Sequence, residues 1–244
     1  MQNIVEKAVG ALTHPLAAYA KLRYGLDFTE TMQLETLRRD GLLRGIAGVI
    51  DAGAHHGDYA LVCAHAIPKV RIVCFEPLPE AYGVLVKRTS KNPQISQERL
   101  ALGSKTQRGV MNISGMEQAS SLLPMNQTHI NLWPKSGNIN IAEVNITTLD
   151  QYLRRNPLSG DLFLKIDVQG SELNVLEGAA ESLRQVRLIR LEASFVPLYQ
   201  GAPRFSEICG YLENAGFRFL KVMGEIRPKS NSLPVQGDVL FVRG

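Results

Sequence analysis

The chain has 244 residues, with 45% hydrophobic and 20% charged residues and a net charge of +4. That is enough for one large α/β domain with an appendage, and it excludes a disordered, collagen-like or fibrous protein. The basic residues are scattered in short pairs, Arg38–Arg39, Lys87–Arg88 and Arg154–Arg155. Without a basic stripe interleaved with aromatics, no nucleic-acid partner is expected. Cys63, Cys74 and Cys209 have neither disulfide-framework nor zinc-type spacing, which fits a reducing compartment and a cytoplasmic location. No run approaches the roughly 18 uninterrupted apolar residues of a membrane span.

From Val5 to about Arg44 apolar residues recur three or four apart, as in Leu12, Leu16 and Tyr19 and again in Leu34 and Leu37, with breaks at Pro15 and Gly25. Residues 1–45 therefore read as a helical extension whose apolar face has to be covered, by simple packing against the domain in the first instance, or as a lid, a substrate-binding cap or the surface of a homo-oligomer. Residues 46–244 read as the main domain. Strands are expected at Gly48 to Ala52, Val70 to Phe75, Ile95 to Leu102, Leu162 to Val168, Arg187 to Ala193, Phe217 to Val222 and Val239 to Val242. Helices are expected at Gly57 to Ala66, Pro79 to Thr89, Ser171 to Leu183 and Pro203 to Ala215, the last starting on Pro203. Seven strands alternating with helices predict a doubly wound, mostly parallel α/β sheet.

About 60 residues separate the third and fourth strands, more than such units need. An insertion at about 108–150 is expected. In it Val110 to Ile113 and Val144 to Thr147 could pair, Thr147-Thr-Leu-Asp150 has capping-box spacing, and Ser120 to Gly137 is polar and holds Trp133. Its place at the ligand-binding edge marks it as functional.

The densest chemical signal is Val49-Ile-Asp-Ala-Gly-Ala-His-His-Gly-Asp58, in which a strand runs into Asp51, turns at Gly53 and enters a helix at Gly57. Such a turn gathers backbone N–H groups around a ligand at the carboxyl end of a sheet. Ala54 or His55 stands where a dinucleotide fingerprint needs its middle glycine, which weakens an NAD reading. Asp51, just before the glycine, suits the amino group of a zwitterionic ligand. Glu76 ends the second strand, 25 residues after Asp51, where a carboxylate can accept both ribose hydroxyl protons of an adenosine.

With these motifs the chain resembles the FkbM family of S-adenosylmethionine-dependent methyltransferases from about Val49 to Arg243. The resemblance is carried by Ile50-Asp-Ala-Gly-Ala54 with Gly57-Asp58, Cys74-Phe-Glu-Pro77, Ala101-Leu-Gly103, Ser120-Ser-Leu122, Thr148-Leu-Asp150, Leu164-Lys-Ile-Asp-Val-Gln-Gly-Ser-Glu-Leu173 and Asp238-Val-Leu-Phe-Val242. It implies a Rossmann-like seven-stranded methyltransferase fold, S-adenosylmethionine as cofactor, and methylation of a hydroxyl on a carbohydrate or natural-product acceptor. By that likeness Gly53 and Ala54 line the methionine portion, Glu76 holds the ribose, Ala101 and Leu102 flank adenine, and Ser120 or Ser121 closes the site. Asp51, Gly57, Asp58 and Pro77 complete the expected cofactor set. His55-His56 departs from the family pattern, which more often has Asn followed by an apolar residue. Adjacent histidines in a turn are expected to meet solvent or cap the chain, and no metal site is expected because further ligands would have to complete it.

Lys165-Ile-Asp167 and Arg190-Leu-Glu192 put charges at period two on strands expected to be covered on both faces, where they need partners. If the two strands are neighbours, these residues form a polar cluster near the cleft or a structural ion-pair network. Asp167 is the first candidate to take the acceptor's proton or orient it, followed by Glu192 and His55, while Glu172 is expected to fix the loop after Gly170. The rival readings are a nicotinamide-dependent short-chain oxidoreductase, for which no Tyr is followed four positions later by Lys, and a non-catalytic adenosine-ligand module.

Overall fold

The computed structural model describes residues 13–228 and 233–244. The expected helical positions Val5 and Leu12 lie outside the described residues. In chain order the elements are α1 (Pro15–Tyr24), α2 (Phe28–Arg39), β1 (Ile46–Ala52), α3 (Asp58–Ala66), β2 (Arg71–Phe75), α4 (Pro79–Thr89), β3 (Ile95–Glu98), β4 (Ala101–Leu102), β5 (Gln107–Ser114), α5 (Gln127–Leu132), β6 (Asn138–Thr147), α6 (Leu149–Arg155), β7 (Asp161–Ile166), α7 (Glu172–Glu177), β8 (Val186–Ser194), α8 (Phe205–Asn214), β9 (Phe217–Ile226) and β10 (Gln236–Arg243).

Seven strands form the main sheet in the order β3-β2-β1-β7-β8-β10-β9. Only β10 runs antiparallel to its neighbours β8 and β9. The strand order reverses between β1 and β7, so the crevice that binds ligands in doubly wound sheets opens at their carboxyl ends. Both faces are covered: Ile50, Leu162, Leu164 and Ile166 pack with Val175, Leu176 and Ile208, while Val49 and Phe163 pack with Leu34, Leu37, Val62 and Leu85. This alternation explains the nearly continuous apolar runs of the central strands. The fold is the expected Rossmann-like α/β fold.

The expected third strand is two strands. β3 stays in the main sheet, but after Glu98 the chain leaves it, and Ala101–Leu102 pair with Ile146 and Thr147 in a second sheet of order β4-β6-β5. The insertion thus draws the chain away by offering it another partner. The expected pairing inside the insertion is present, with β5 antiparallel to β6.

Three helix limits also differ. Thr148, not Thr147, caps α6, its hydroxyl accepting from Gln151 N at 3.0 Å. Asp150 instead accepts the amides of Glu181 and Ser182. Pro203 stands before α8, whose N-cap is Arg204, and Glu207 accepts the Arg204 amide. The expected helix from Ser171 to Leu183 ends at Glu177, and a 3-10 turn follows at Ser182–Gln185. Asp150 interrupts the helix, its amide donating to the Gly178 carbonyl and its carboxylate accepting the Glu181 and Ser182 amides, and Gly178 allows the close approach, since a Cβ there would lie 2.0 Å from the Gly103 carbonyl oxygen. Neither backbone can yield easily. Gly178→Ala is expected to cost roughly 1–3 kcal/mol in urea unfolding, as overpacked sites do, and an unchanged midpoint would show that this junction relaxes freely.

The polar stretch 120–137 is anchored. Asn126 N donates to Leu198 O and Gln200 N to Pro124 O, and Ala119 and Met125 are buried with Leu198 and Tyr199. The insertion is therefore packed against the loop after β8 and stands over the carboxyl ends of the sheet.

Candidate active site

Two turns shape the cleft. After β1, Gly53 has φ +78° and a Cβ there would lie 1.9 Å from the Asp167 carbonyl oxygen, so only glycine lets the end of β7 come this close. The amides of Gly53 and Ala54 both donate to Phe75 O at 3.0 Å, tying the turn to the end of β2. His55 is also left-handed, at φ +45°, and its amide donates to Glu76 Oε2 at 2.9 Å, while Leu78 N donates to Glu76 Oε1 at 2.9 Å. Burial pushes the Glu76 carboxyl up to about 7, against the two amides and Lys165, which favour its ionised form. Each oxygen keeps accepting capacity toward the cleft.

The charged strand residues form two neighbouring clusters, one around Lys165 and one around Arg190, with pairings the expected cluster did not specify. Lys165 and Arg190 sit side by side in the β7–β8 register. Lys165 Nζ lies 3.0 Å from Asp51 Oδ1 and 3.6 Å from Asp167 Oδ2, and donates to Gly53 O at 2.8 Å. Burial acts to lower the Lys165 ammonium, but Asp51 and Asp167 overcome it and hold it above the ordinary lysine range. Arg190 pairs with Glu30 of α2 and with Asp238 of β10, the latter at 2.9 Å. Asp51 is 0% exposed, lies behind Lys165 and is not among the residues that line the cleft.

Asp167 reaches the cleft, its side chain 38% exposed. Gln169, left-handed at φ +55°, donates from Nε2 to Asp167 Oδ1 at 2.8 Å and to Glu192 Oε2 at 2.5 Å. Gln169 is held in turn: Ser121 Oγ donates to its carbonyl at 2.6 Å and the Tyr199 hydroxyl to its Oε1 at 2.8 Å. Burial first, then Asp167 and Asp238, push the Glu192 carboxyl well above the usual range. Glu172 accepts Gly170 N at 2.9 Å, fixing the loop as expected.

A cleft of about 350 Å³ collects Gly53, Ala54, His55, Asp58, Glu76, Pro77, Ala101, Leu102, Ser120, Asp167 and Glu192. Asp51, Gly57 and Ser121 stand behind its wall. Gly57, at φ +80°, starts α3 against Leu85, and Asp58 is clasped by Arg88 at 2.6 and 2.9 Å. Sequence reasoning missed Gln169, Glu30 and Glu117. Only the glycine after Gln169, which marks a tight turn, hinted at the first. At the mouth the rings of His55 and His56 stack at 3.7 Å and both face Glu117 of the 3-10 turn Glu117–Ala119.

A mostly parallel sheet with a glycine turn and an acidic second strand end at its switch point defines a domain that binds an adenosine-containing cofactor. The methyltransferase FkbM domain model matches residues 51–219, and the chain belongs to that family of S-adenosylmethionine-dependent methyltransferases. It is 27% identical over 210 residues to the methyltransferase sdnD of Sordaria araneosa, covering 76% of this chain and 79% of that one. Among solved structures it is similar to precorrin-6y C5,15-methyltransferase from Geobacter metallireducens, at 12% identity and TM-score 0.48 over 88% of this chain and 86% of that one. It is also similar to Aeropyrum pernix fibrillarin with natively bound S-adenosylmethionine, at 11% identity and TM-score 0.46 over 81% and 66%. The oxidoreductase reading is set aside. Among the described residues no helix is long and apolar enough to cross a membrane.

Proposed function

We propose that this methyltransferase transfers the methyl group to a hydroxyl of a small-molecule acceptor, with a carbohydrate or another natural product as the class tested first. The reading rests on Asp167, an accessible carboxylate at the end of β7, aimed by the Gln169 amide and set beside the buried Glu192. A weakly acidic hydroxyl needs such a group, whereas a carboxylate or thiolate acceptor would be repelled by it.

The cleft fits S-adenosylmethionine. Gly53 lets the turn close against the end of β7 at the cleft floor, Glu76 offers carboxylate oxygens for ribose hydroxyls, and Phe75, Ala101 and Leu102 supply an apolar wall. When bound, the cofactor supplies a sulfonium-activated methyl group. In this reading the chain's work is to align the acceptor oxygen and remove its proton, with Asp167 accepting the proton and Gln169 keeping the carboxylate turned to the cleft. Glu30, salt-bridged to Arg190 and lining the cleft, supports a cap role for the N-terminal helices. The free thiols of Cys63, Cys74 and Cys209 suit a cytoplasmic setting.

Transfer of labelled methyl from S-adenosylmethionine to a panel of sugar, polyol, amine and carboxylate acceptors tests the reaction; transfer confined to amines or carboxylates would overturn it. For the cofactor, Glu76→Ala is expected to weaken binding by about 1.5–3 kcal/mol in calorimetry, the worth of charge-assisted hydrogen bonds. Equal affinity in the folded variant would remove Glu76 from the ribose.

A further inference from the structure

We infer that His55, His56 and Glu117 form a binding site for one divalent transition-metal ion of the zinc class at the mouth of the cleft. His55 Nε2 and His56 Nε2 lie 3.3 and 3.4 Å from Glu117 Oε2. Metal bonds of about 2.0–2.1 Å set the donors of a tetrahedral site about 3.3–3.4 Å apart, which the two His–Glu117 distances match, and a small splaying of the stacked rings would seat both imidazoles. All three donor atoms lie within 4.8 Å of one another. Two imidazoles and a carboxylate are a donor set that suits zinc, cobalt or nickel, not calcium or magnesium.

The backbone builds this arrangement. The left-handed turn at His55, pinned by Glu76, brings two successive side chains to the same side with their rings 24° from parallel. Glu117 arrives from the insertion, on a 3-10 turn closed by Ala119 N to Met116 O at 2.8 Å and Ser120 N to Glu117 O at 3.0 Å. The Tyr199 hydroxyl oxygen also lies 3.0 Å from the Ala119 carbonyl, so Tyr199 packs beneath the turn. The ligands come from two segments 61 residues apart, and the ion would fasten the insertion to the glycine turn. With three protein ligands, a fourth position is left for water or a hydroxyl in the cleft, the pattern of zinc sites that act on small molecules. The site stands whether or not the acceptor is a sugar, since it requires only these three side chains.

The test uses tag-free protein stripped with chelator and titrated with zinc ion by calorimetry, with cobalt(II) absorption as a second readout. One equivalent is expected to bind at micromolar or tighter affinity, with the intense visible bands of four-coordinate cobalt. His56→Asn and Glu117→Gln each remove a ligand and are expected to weaken zinc binding by more than the roughly 10- to 100-fold that loss of a mere outer partner costs, while His65→Ala, remote from the cleft, leaves it unchanged. Circular dichroism on the same samples establishes that each variant is folded, and His56→Ala repeats the test if His56→Asn is not. Binding no tighter than millimolar in the parent, or equal zinc affinity in the folded His56 and Glu117 variants, would overturn the assignment.

Discussion

Asp167→Asn is expected to lower methyl transfer by about 10²–10⁴-fold, the usual contribution of a positioned general base, while leaving cofactor affinity close to the parent's. The substitution keeps the shape of the side chain and an oxygen for the 2.8 Å hydrogen bond from Gln169 Nε2. What it removes is a negative charge able to hold a proton. The neighbouring Glu192 does not simply take over, since burial, the largest influence on it, still favours its neutral form once the Asp167 charge is gone. Single-turnover rates with labelled cofactor, together with calorimetric affinity, separate the outcomes. A parent-like rate would make Asp167 structural and leave alignment alone to drive transfer. Loss of cofactor binding would place Asp167 in the methionine pocket instead.

Lys165→Met is expected to destabilise the fold by about 3–5 kcal/mol, because it strips the charge partner, the only one among the described residues, from a carboxylate sealed inside the sheet. Asp51 is 0% exposed, and neither of its oxygens has a hydrogen bond of good geometry among the described residues. Lys165 Nζ, 3.0 Å away, is what offsets its burial. The paired variant Asp51→Leu with Lys165→Met should recover most of the loss, since replacing both members of a buried ion pair with apolar groups is often neutral. Urea unfolding of the two single variants and the pair measures the coupling directly. The double variant should still bind cofactor less well, because Lys165 also holds the Gly53 carbonyl that shapes the turn. Full recovery of both stability and binding would show that the pair has no part in building the cleft.

The polar bonds of the site differ in how far apart their partners lie along the chain. The Glu76 bonds to His55 and Leu78 span 21 and 2 residues and belong to one β-α-β unit. Arg190 meets Glu30 across 160 residues, and Lys165 meets the Gly53 carbonyl across 112. The first kind of contact follows from strand and turn chemistry that any such unit shares. The second kind depends on which strands become neighbours and in what register.

The sequence by itself determined the alternation of apolar strands and helices, the turn at Gly53, the acidic end of β2 and the polar strand ends carrying Asp167 and Glu192. These are set by local periodicity and by backbone conformations only glycine adopts easily, and both can be read from a few consecutive residues. Only the tertiary structure decided that Lys165 would pair with Asp51 rather than Glu192, that Gln169 would bridge Asp167 and Glu192, and that Glu117 would meet His55 and His56. It also decided the split of the expected third strand, because Ala101–Leu102 had to choose between two sheets whose strands come from distant parts of the chain. The physical reason is the same in each case: a charge or an unpaired strand edge accepts whichever complementary group the completed packing brings within reach, and that group's identity is not encoded by spacing along the chain.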